Sequence, residues 1–157
     1  MIALLDNTVI SNFSFIRRPD FVRLALGDAV ATVQAAFDEY NRGVHLNRLP
    51  ACDWNWLPIL ELTADEASLM ARFASELGLG EASCIACAVS RSLRIFTDDR
   101  DARRAALELH VPVSGTLGML LLLVDAGILS TDEADRYLSQ MIASGYRSPL
   151  KSLTELR

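Results

Sequence analysis

A chain of 157 residues is long enough to bury a hydrophobic core and fits a single domain, which we expect to span residues 1–157. Its composition, 51% hydrophobic and 22% charged residues, is typical of a folded globular protein and excludes a disordered one. The net charge of −5 argues against a protein that coats nucleic acid through bulk positive charge, although it permits an enzyme with an acidic site.

The hydrophobic pattern alternates between short strand-like runs and helical stretches, which is typical of an α/β fold with a parallel sheet. It predicts strands at residues 2–5, 29–33, 57–62, 94–98 and 111–113. It predicts helices after Asp6, at 20–26, up to Gly43, from Thr63 to Gly78, and at 81–92, 100–109, 116–126 and 131 to about 145. Thr63 to Glu66 and Ser130 to Glu133 each have the spacing of a capping box, which marks a helix start.

We expect a cytoplasmic protein that does not insert into a membrane. Asp6 ends the first apolar run before it reaches the length of a signal peptide, and the most apolar tract, residues 117–124, is far below the ~20 residues that span a bilayer. Cys52, Cys84 and Cys87 are odd in number, which suits a reducing compartment better than a disulfide framework.

Acidic residues follow two of the predicted strands. Asp6 comes directly after strand 2–5, and Asp99 closes the segment 94–99, so both belong at the carboxyl edge of a parallel sheet, where sites form. Glu81 is at the start of a predicted helix. The 18 residues from Glu81 to Asp99 fit one helix and one strand, which would bring both residues to the same edge of the sheet. Clustered carboxylates resist ionisation unless a cation offsets their charge, and hard oxygen ligands favour Mg²⁺ or Mn²⁺. The pattern therefore predicts a metal-dependent phosphodiesterase site.

Each acid alone also has an ordinary structural explanation. Asp6 is in the position of a helix N-cap, Glu81 can complement a helix dipole, and Asp99 lies in a polar turn that starts a helix. Cys84 and Cys87 form a C-x-x-C pair, which raises a thiol redox function as a rival, but their apolar neighbours favour core packing.

Several motifs resemble those of PIN-domain proteins, the fold of VapC-type toxin ribonucleases. Residues 4–13 read Leu-Leu-Asp-Asn-Thr-Val-Ile-Ser-Asn-Phe, residues 78–83 Gly-Leu-Gly-Glu-Ala-Ser, and residues 96–103 Phe-Thr-Asp-Asp-Arg-Asp-Ala-Arg. Residues 113–118, Val-Ser-Gly-Thr-Leu-Gly, and 126–129, Ala-Gly-Ile-Leu, resemble a largely uncharacterised prokaryotic branch of PIN-like proteins. The resemblance runs from residue 2 to about residue 148.

The resemblance implies a three-layer α/β/α sandwich around a mainly parallel sheet, with acidic residues that bind Mg²⁺ or Mn²⁺. It implies a ribonuclease that cleaves RNA phosphodiester bonds, as the toxin of a toxin–antitoxin pair with an antitoxin protein as partner, and a homodimer. The rival function is a non-catalytic PIN-like module that binds nucleic acid or protein.

The resemblance also implies the residues of the site. Asp6, Glu39, Glu81 and Asp99 match the four catalytic acids, and Asp6, Glu81 and Asp99 are the expected metal ligands. Asp38 is the alternative to Glu39.

Around these acids, Asp98 is the alternative to Asp99 and can instead orient a water or face solvent. Asn7, Ser11 and Thr97 are candidates for hydrogen bonds that support the ligands.

Arginines are the candidates for phosphate contacts, and three of them lie nearest to Asp99 in the sequence: Arg100, Arg103 and Arg104. The other candidates are Arg17, Arg18, Arg42 and Arg48.

Overall fold

The computed structural model describes residues 1–156 and contains a five-stranded parallel sheet with the strand order β3-β2-β1-β4-β5. The strands are β1 Ala3–Leu5, β2 Val30–Val33, β3 Ile59–Leu60, β4 Arg94–Phe96 and β5 Val113–Ser114. β1 is the central strand, and its last residue, Leu5, is in register with Thr32 on β2 and Phe96 on β4. The carboxyl ends of three neighbouring strands therefore meet around the residue that follows Leu5.

Helices cover both faces of the sheet. They are α1 Asn7–Phe15, α2 Asp20–Leu26, α3 Gln34–His45, α4 Ala64–Phe73, α5 Leu79–Arg91, α6 Arg100–Glu108, α7 Thr116–Asp125 and α8 Thr131–Ala143, with a 3₁₀ helix at Leu153–Leu156. Alternate strand residues point to opposite faces. Leu5 and Phe96 accordingly pack with α1, α2, α7 and α8, whereas Leu4 and Ile95 pack with α5 and α6. The predicted three-layer α/β/α sandwich is confirmed, and none of the described helices combines the length and apolarity needed to cross a bilayer.

Some element boundaries differ from the sequence prediction. α3 continues through Gly43 to His45. A Cβ at Gly43 would lie 2.6 Å from Cδ1 of Leu49, so the glycine allows the chain after the helix to pack closely against it. α4 ends at Phe73 instead of reaching Gly78. Gly78 is instead the N-cap of α5, with an extended backbone, so α5 begins two residues before the predicted start.

The two sulfur groups of the C-x-x-C pair lie in the core. Cys84 and Cys87 are buried on α5, and burial raises the pKa of both thiols, that of Cys84 well above its usual value. A redox cysteine needs the opposite shift and access to solvent. Core packing, not thiol chemistry, therefore explains this pair.

Both predicted capping boxes form, but only one is buried. At α4, Glu66 Oε2 accepts from the Thr63 backbone N–H (2.8 Å), while Arg91 donates to both Glu66 oxygens at 2.7 and 2.9 Å. Glu66 is 1% exposed, and the Arg91 guanidinium lowers its pKa to about 2. At α8, Ser130 and Glu133 form the same box on the surface without an arginine.

Replacing Glu66 by Gln should lower the free energy of unfolding by about 2–3 kcal/mol, because the charged bonds to Arg91 are lost in a buried setting. The matched variant Glu133→Gln keeps a capping-box residue at an exposed position and should change stability by less than about 0.5 kcal/mol. Urea unfolding of both variants measures the difference. Because the pKa of Glu66 is lowered on folding, the stability gap between wild type and Glu66→Gln should be complete above about pH 4.5 and shrink as pH falls towards 2. Equal losses in the two variants would contradict this account.

Candidate active site

Asp6 lies at the carboxyl end of the central strand and is fully buried. Its backbone N–H donates to Phe96 O (3.0 Å), which fixes it against β4. One carboxylate oxygen, Oδ2, accepts from the hydroxyls of Thr97 (2.8 Å) and Thr8 (3.1 Å). The other, Oδ1, is buried without any hydrogen-bond partner among the described residues. Although Asp6 is the N-cap residue of α1, its side chain makes no capping bond.

Glu81 and Glu39 meet at the N-terminus of α5. Glu81 lies in the first turn of this helix, and its Oε2 is buried with no partner in the described part of the chain. Glu39, from the middle of α3, accepts at Oε1 from the backbone N–H of Gly80 (3.1 Å). The α5 terminus thus brings a carboxylate from α3 beside one of its own.

Two glycines make room for these carboxylates. A Cβ at Gly78 would overlap Oε2 of Glu81, and a Cβ at Gly80 would lie 2.9 Å from Oε1 of Glu39 and 3.2 Å from Cα of Ala36. Neither glycine needs a positive φ. The Gly-Leu-Gly-Glu segment is therefore explained by the close approach of α3 and of the carboxylates.

Burial and neighbouring charges raise the pKa of two of these acids, Asp6 and Glu81. Burial raises the pKa of Asp6 to about 6, and the charge of Glu39 adds to the rise against the hydrogen bonds from Thr97, the Asn7 backbone and Thr8. Burial also raises the pKa of Glu81 to about 7, with further contributions from the charges of Asp6, Glu39 and Asp99. All four acids therefore lie within electrostatic range of one another, and a cation among them would relieve the repulsion.

Asp99 lies at the other side of this group. Its Oδ1 accepts from the backbone N–H of Ala102 (2.8 Å), so it caps α6, as the local pattern predicts. The Asp99 backbone N–H donates to the Thr97 hydroxyl (3.2 Å), which also binds Asp6. Thr97 thus connects the two acids that follow β1 and β4.

The neighbouring acids, Asp98 and Asp38, have other partners. Asp98 accepts from the Asn12 amide (3.0 Å) and from both the backbone N–H (2.9 Å) and the hydroxyl of Thr116. It joins α1 to the start of α7 and is partly exposed. Asp38 is exposed and accepts from Gln34 one turn earlier (2.8 Å). Glu39 and Asp99, and not Asp38 or Asp98, are among the acids whose charges raise the pKa of Glu81.

Sequence reasoning missed Thr8, Asn12 and Thr116. Thr8 donates to Asp6 and accepts from the Asp98 backbone N–H (2.9 Å), so it links both strand ends. Thr8 and Asn12 are one helical turn apart on α1, a signal that a face of this helix is polar and buried. Of the expected supporting residues, Thr97 binds Asp6, whereas the Ser11 hydroxyl donates to Asn7 Oδ1 (3.0 Å).

The carboxylates fit a hard divalent cation. Within residues 1–156, no three His, Cys, Asp or Glu side chains lie close enough together to form a ready metal site. Mg²⁺, however, is commonly held by one or two carboxylates, with water and substrate phosphate completing its shell. Oδ1 of Asp6 and Oε2 of Glu81 are two such oxygens, both buried and unpaired in this part of the chain.

Comparison with known proteins agrees with this geometry. A family model, DUF3368, described as a PIN domain, matches residues 2–157. PIN domains are generally nucleases that use divalent metals. No curated protein and no solved structure matches the chain. Because the family model covers almost the whole sequence and the fold agrees with it, this chain belongs to the PIN-domain family.

Proposed function

We propose that this protein is an Mg²⁺- or Mn²⁺-dependent endoribonuclease whose catalytic acids are Asp6, Glu39, Glu81 and Asp99. One observation carries the proposal: Asp6 and Glu81 each hold a buried carboxylate oxygen with no partner among residues 1–156, at the carboxyl edge of the sheet. Leaving such an oxygen without a partner costs about 1–3 kcal/mol. A cation that binds there removes this cost.

Asp6, Glu81 and Asp99 would hold the cation, which when bound would act as a Lewis acid on the scissile phosphodiester. Thr97 and Thr8 hold Asp6 through Oδ2, which leaves Oδ1 free. Glu39 fixes the first turn of α5 through Gly80 N–H and so places Glu81.

RNA as the substrate, a toxin role with an antitoxin partner and a homodimer are parts of the proposal that rest on the resemblance to VapC-type ribonucleases. A cytoplasmic location is also part of it and rests on the short apolar runs and the odd number of cysteines in the sequence. The site itself supports phosphodiester chemistry. A PIN-like module that binds RNA without cleaving it is the alternative outcome of the experiments below.

The double variant Asp6→Asn, Asp99→Asn should lower Mn²⁺ affinity by at least about tenfold in calorimetry, because the two changes remove negative charge from the ligand group. RNA cleavage in Mg²⁺ or Mn²⁺ should fall by at least about a hundredfold, since the cation supplies the electrostatic part of catalysis. Unchanged Mn²⁺ affinity would overturn the metal assignment. Retained RNA binding, with no cleavage by the wild-type protein in either cation, would favour the binding module.

A matched pair on α3 separates the two candidates for the second acid. Glu39→Gln should reduce cleavage by about tenfold or more, because Glu39 interacts with Asp6 and places Glu81. Asp38→Asn changes the same charge one residue away on an exposed side chain and should leave cleavage unchanged. The opposite ranking in cleavage assays would assign the role to Asp38.

The two glycines of the α5 terminus should respond differently to alanine. Gly78→Ala pushes only the flexible end of Glu81, so stability should change by less than about 0.5 kcal/mol while cleavage drops. Gly80→Ala meets the α3 backbone, and should cost about 1–3 kcal/mol although alanine is the better helix former. Thermal unfolding and cleavage assays measure both. Full activity in Gly78→Ala would show that the position of Glu81 is unimportant.

The metal-free protein should lose stability as pH rises from about 4 to 7. Asp6 and Glu81 have a raised pKa in the folded state, about 6 and 7, so the unfolded chain releases their protons first. Folding is then penalised, by about 2–3 kcal/mol for Asp6 alone. Urea unfolding in EDTA should show a shallower pH dependence and higher stability near neutral pH for Asp6→Asn. Parallel curves for this variant and wild type would contradict the raised pKa.

A further inference from the structure

A polar cleft of about 600 Å³ opens beside the carboxylate group on the Asp99 side. Its wall is formed by the first turns of α1 and α6 and by the segment after α8. The residues that line it include Asn7, Ser11, Asp98, Asp99, Arg100 and Arg147. This size is in the range of ligand sites in proteins, and the lining is suited to a polar ligand.

The segment after α8 is fixed on both sides of Arg147. Tyr146 is 9% exposed, and its hydroxyl donates to Oδ1 of Asp98 (3.4 Å). Burial, with the charge of Asp98, raises the pKa of Tyr146, so the hydroxyl keeps its proton. Further on, Asp135 on α8 accepts from the Leu153 backbone N–H (2.8 Å), and the Leu153 side chain is buried. These anchors hold Arg147 at the cleft.

Two arginines of the cleft have no ion-pair partner among the described residues. Arg100 and Arg147 are both exposed, and neither forms an ion pair with a residue between 1 and 156. The acids of the cleft are already engaged: Asp98 by Asn12 and Thr116, and Asp99 by the cap of α6. Two guanidinium groups without an ion-pair partner among residues 1–156 are available to bind an anion.

The opposite side of the carboxylate group has different chemistry. The groove between α3, β3, α4 and α5 is lined by apolar side chains, including Leu60, Leu62 and Leu79, and carries more acidic than basic residues. A phosphate backbone would be repelled there. The charge distribution therefore favours binding of a polyanion on the Asp99 side of the carboxylate group and disfavours it on the other side.

We propose that Arg100 and Arg147 bind phosphates of the RNA strand next to the scissile one, so that the segment after α8 is part of the substrate site. This inference rests on the proposed function. Arginine guanidinium groups suit phosphate because they are planar and donate two parallel hydrogen bonds. Asn7 and Ser11 add neutral polar groups along the same wall.

The test uses the full chain and a short fluorescein-labelled single-stranded RNA, with binding followed by anisotropy in EDTA and cleavage followed separately in Mn²⁺. Arg100→Gln and Arg147→Gln should each weaken binding about three- to tenfold at low salt, and the double variant should reduce the salt slope of log affinity by about 1.4, or ~0.7 for each lost phosphate contact. In cleavage, KM should rise while kcat stays near wild type, as expected for lost uniform binding.

Arg136→Gln is the matched control, since Arg136 is equally exposed on α8 but lines a different groove. It should bind as wild type, and Arg147→Lys should recover most of the affinity because it restores the charge. Binding by Arg100→Gln and Arg147→Gln equal to that of Arg136→Gln would overturn the inference, as would wild-type protein that binds no RNA at low salt. Binding that depends on both arginines, without any cleavage, would support the cleft while refuting the nuclease proposal.

Discussion

Burial of the Asp6 carboxylate, with other acids near enough to add repulsion, is the constraint on which the rest of the site depends. Asp6 is at the end of the central strand, with β2 and β4 on either side, and is therefore removed from solvent on several sides at once. A lone buried carboxyl can accept a proton or a donor to avoid the cost of burial. Here the charge of Glu39 opposes the ionisation of Asp6 further, and the charges of Asp6, Glu39 and Asp99 oppose that of Glu81. The destabilising carboxylates lie at one edge of the sheet, while two hydrophobic clusters on its faces stabilise the fold.

Other acids of this protein receive hydrogen bonds that offset the cost of burying a carboxylate. Glu66 is as well covered from solvent as Asp6, yet it receives donors from Arg91 and the Thr63 backbone, and its pKa falls. Asp98 is bonded by Asn12 and Thr116. Where an acid has a structural role, the chain supplies donors. Asp6 and Glu81 each keep an oxygen without one in the described residues, which is the arrangement expected of groups reserved for a ligand.

The elements that the sequence predicted correctly are those determined by residues close together in the chain. The bounds of α2, both capping boxes and the strand before Asp6 follow from local hydrophobic and capping patterns, and the structure confirms them. The sequence could not predict that Glu39 would reach the Gly80 N–H, because that bond joins residues far apart in the chain. The predicted end of α3 before Gly43 was wrong for a similar reason. Gly43 lies within the helix, where Leu49 from the following segment packs against it, and local helix propensity does not reveal that contact.

Asp98 and Asp99 are adjacent in the sequence but have different structural roles. They are consecutive acids after the same strand, and only the donors around them, on α1, α7 and the segment after α8, distinguish them. Asp98 accepts from Asn12, Thr116 and Tyr146, which ties the turn after β4 to three other parts of the chain, and Asp99 lies at the start of α6. The same bond to Tyr146 fixes the backbone next to Arg147. One structural acid therefore sets the positions of both a proposed metal ligand and a proposed phosphate contact, which couples the chemistry of the site to the path of its substrate.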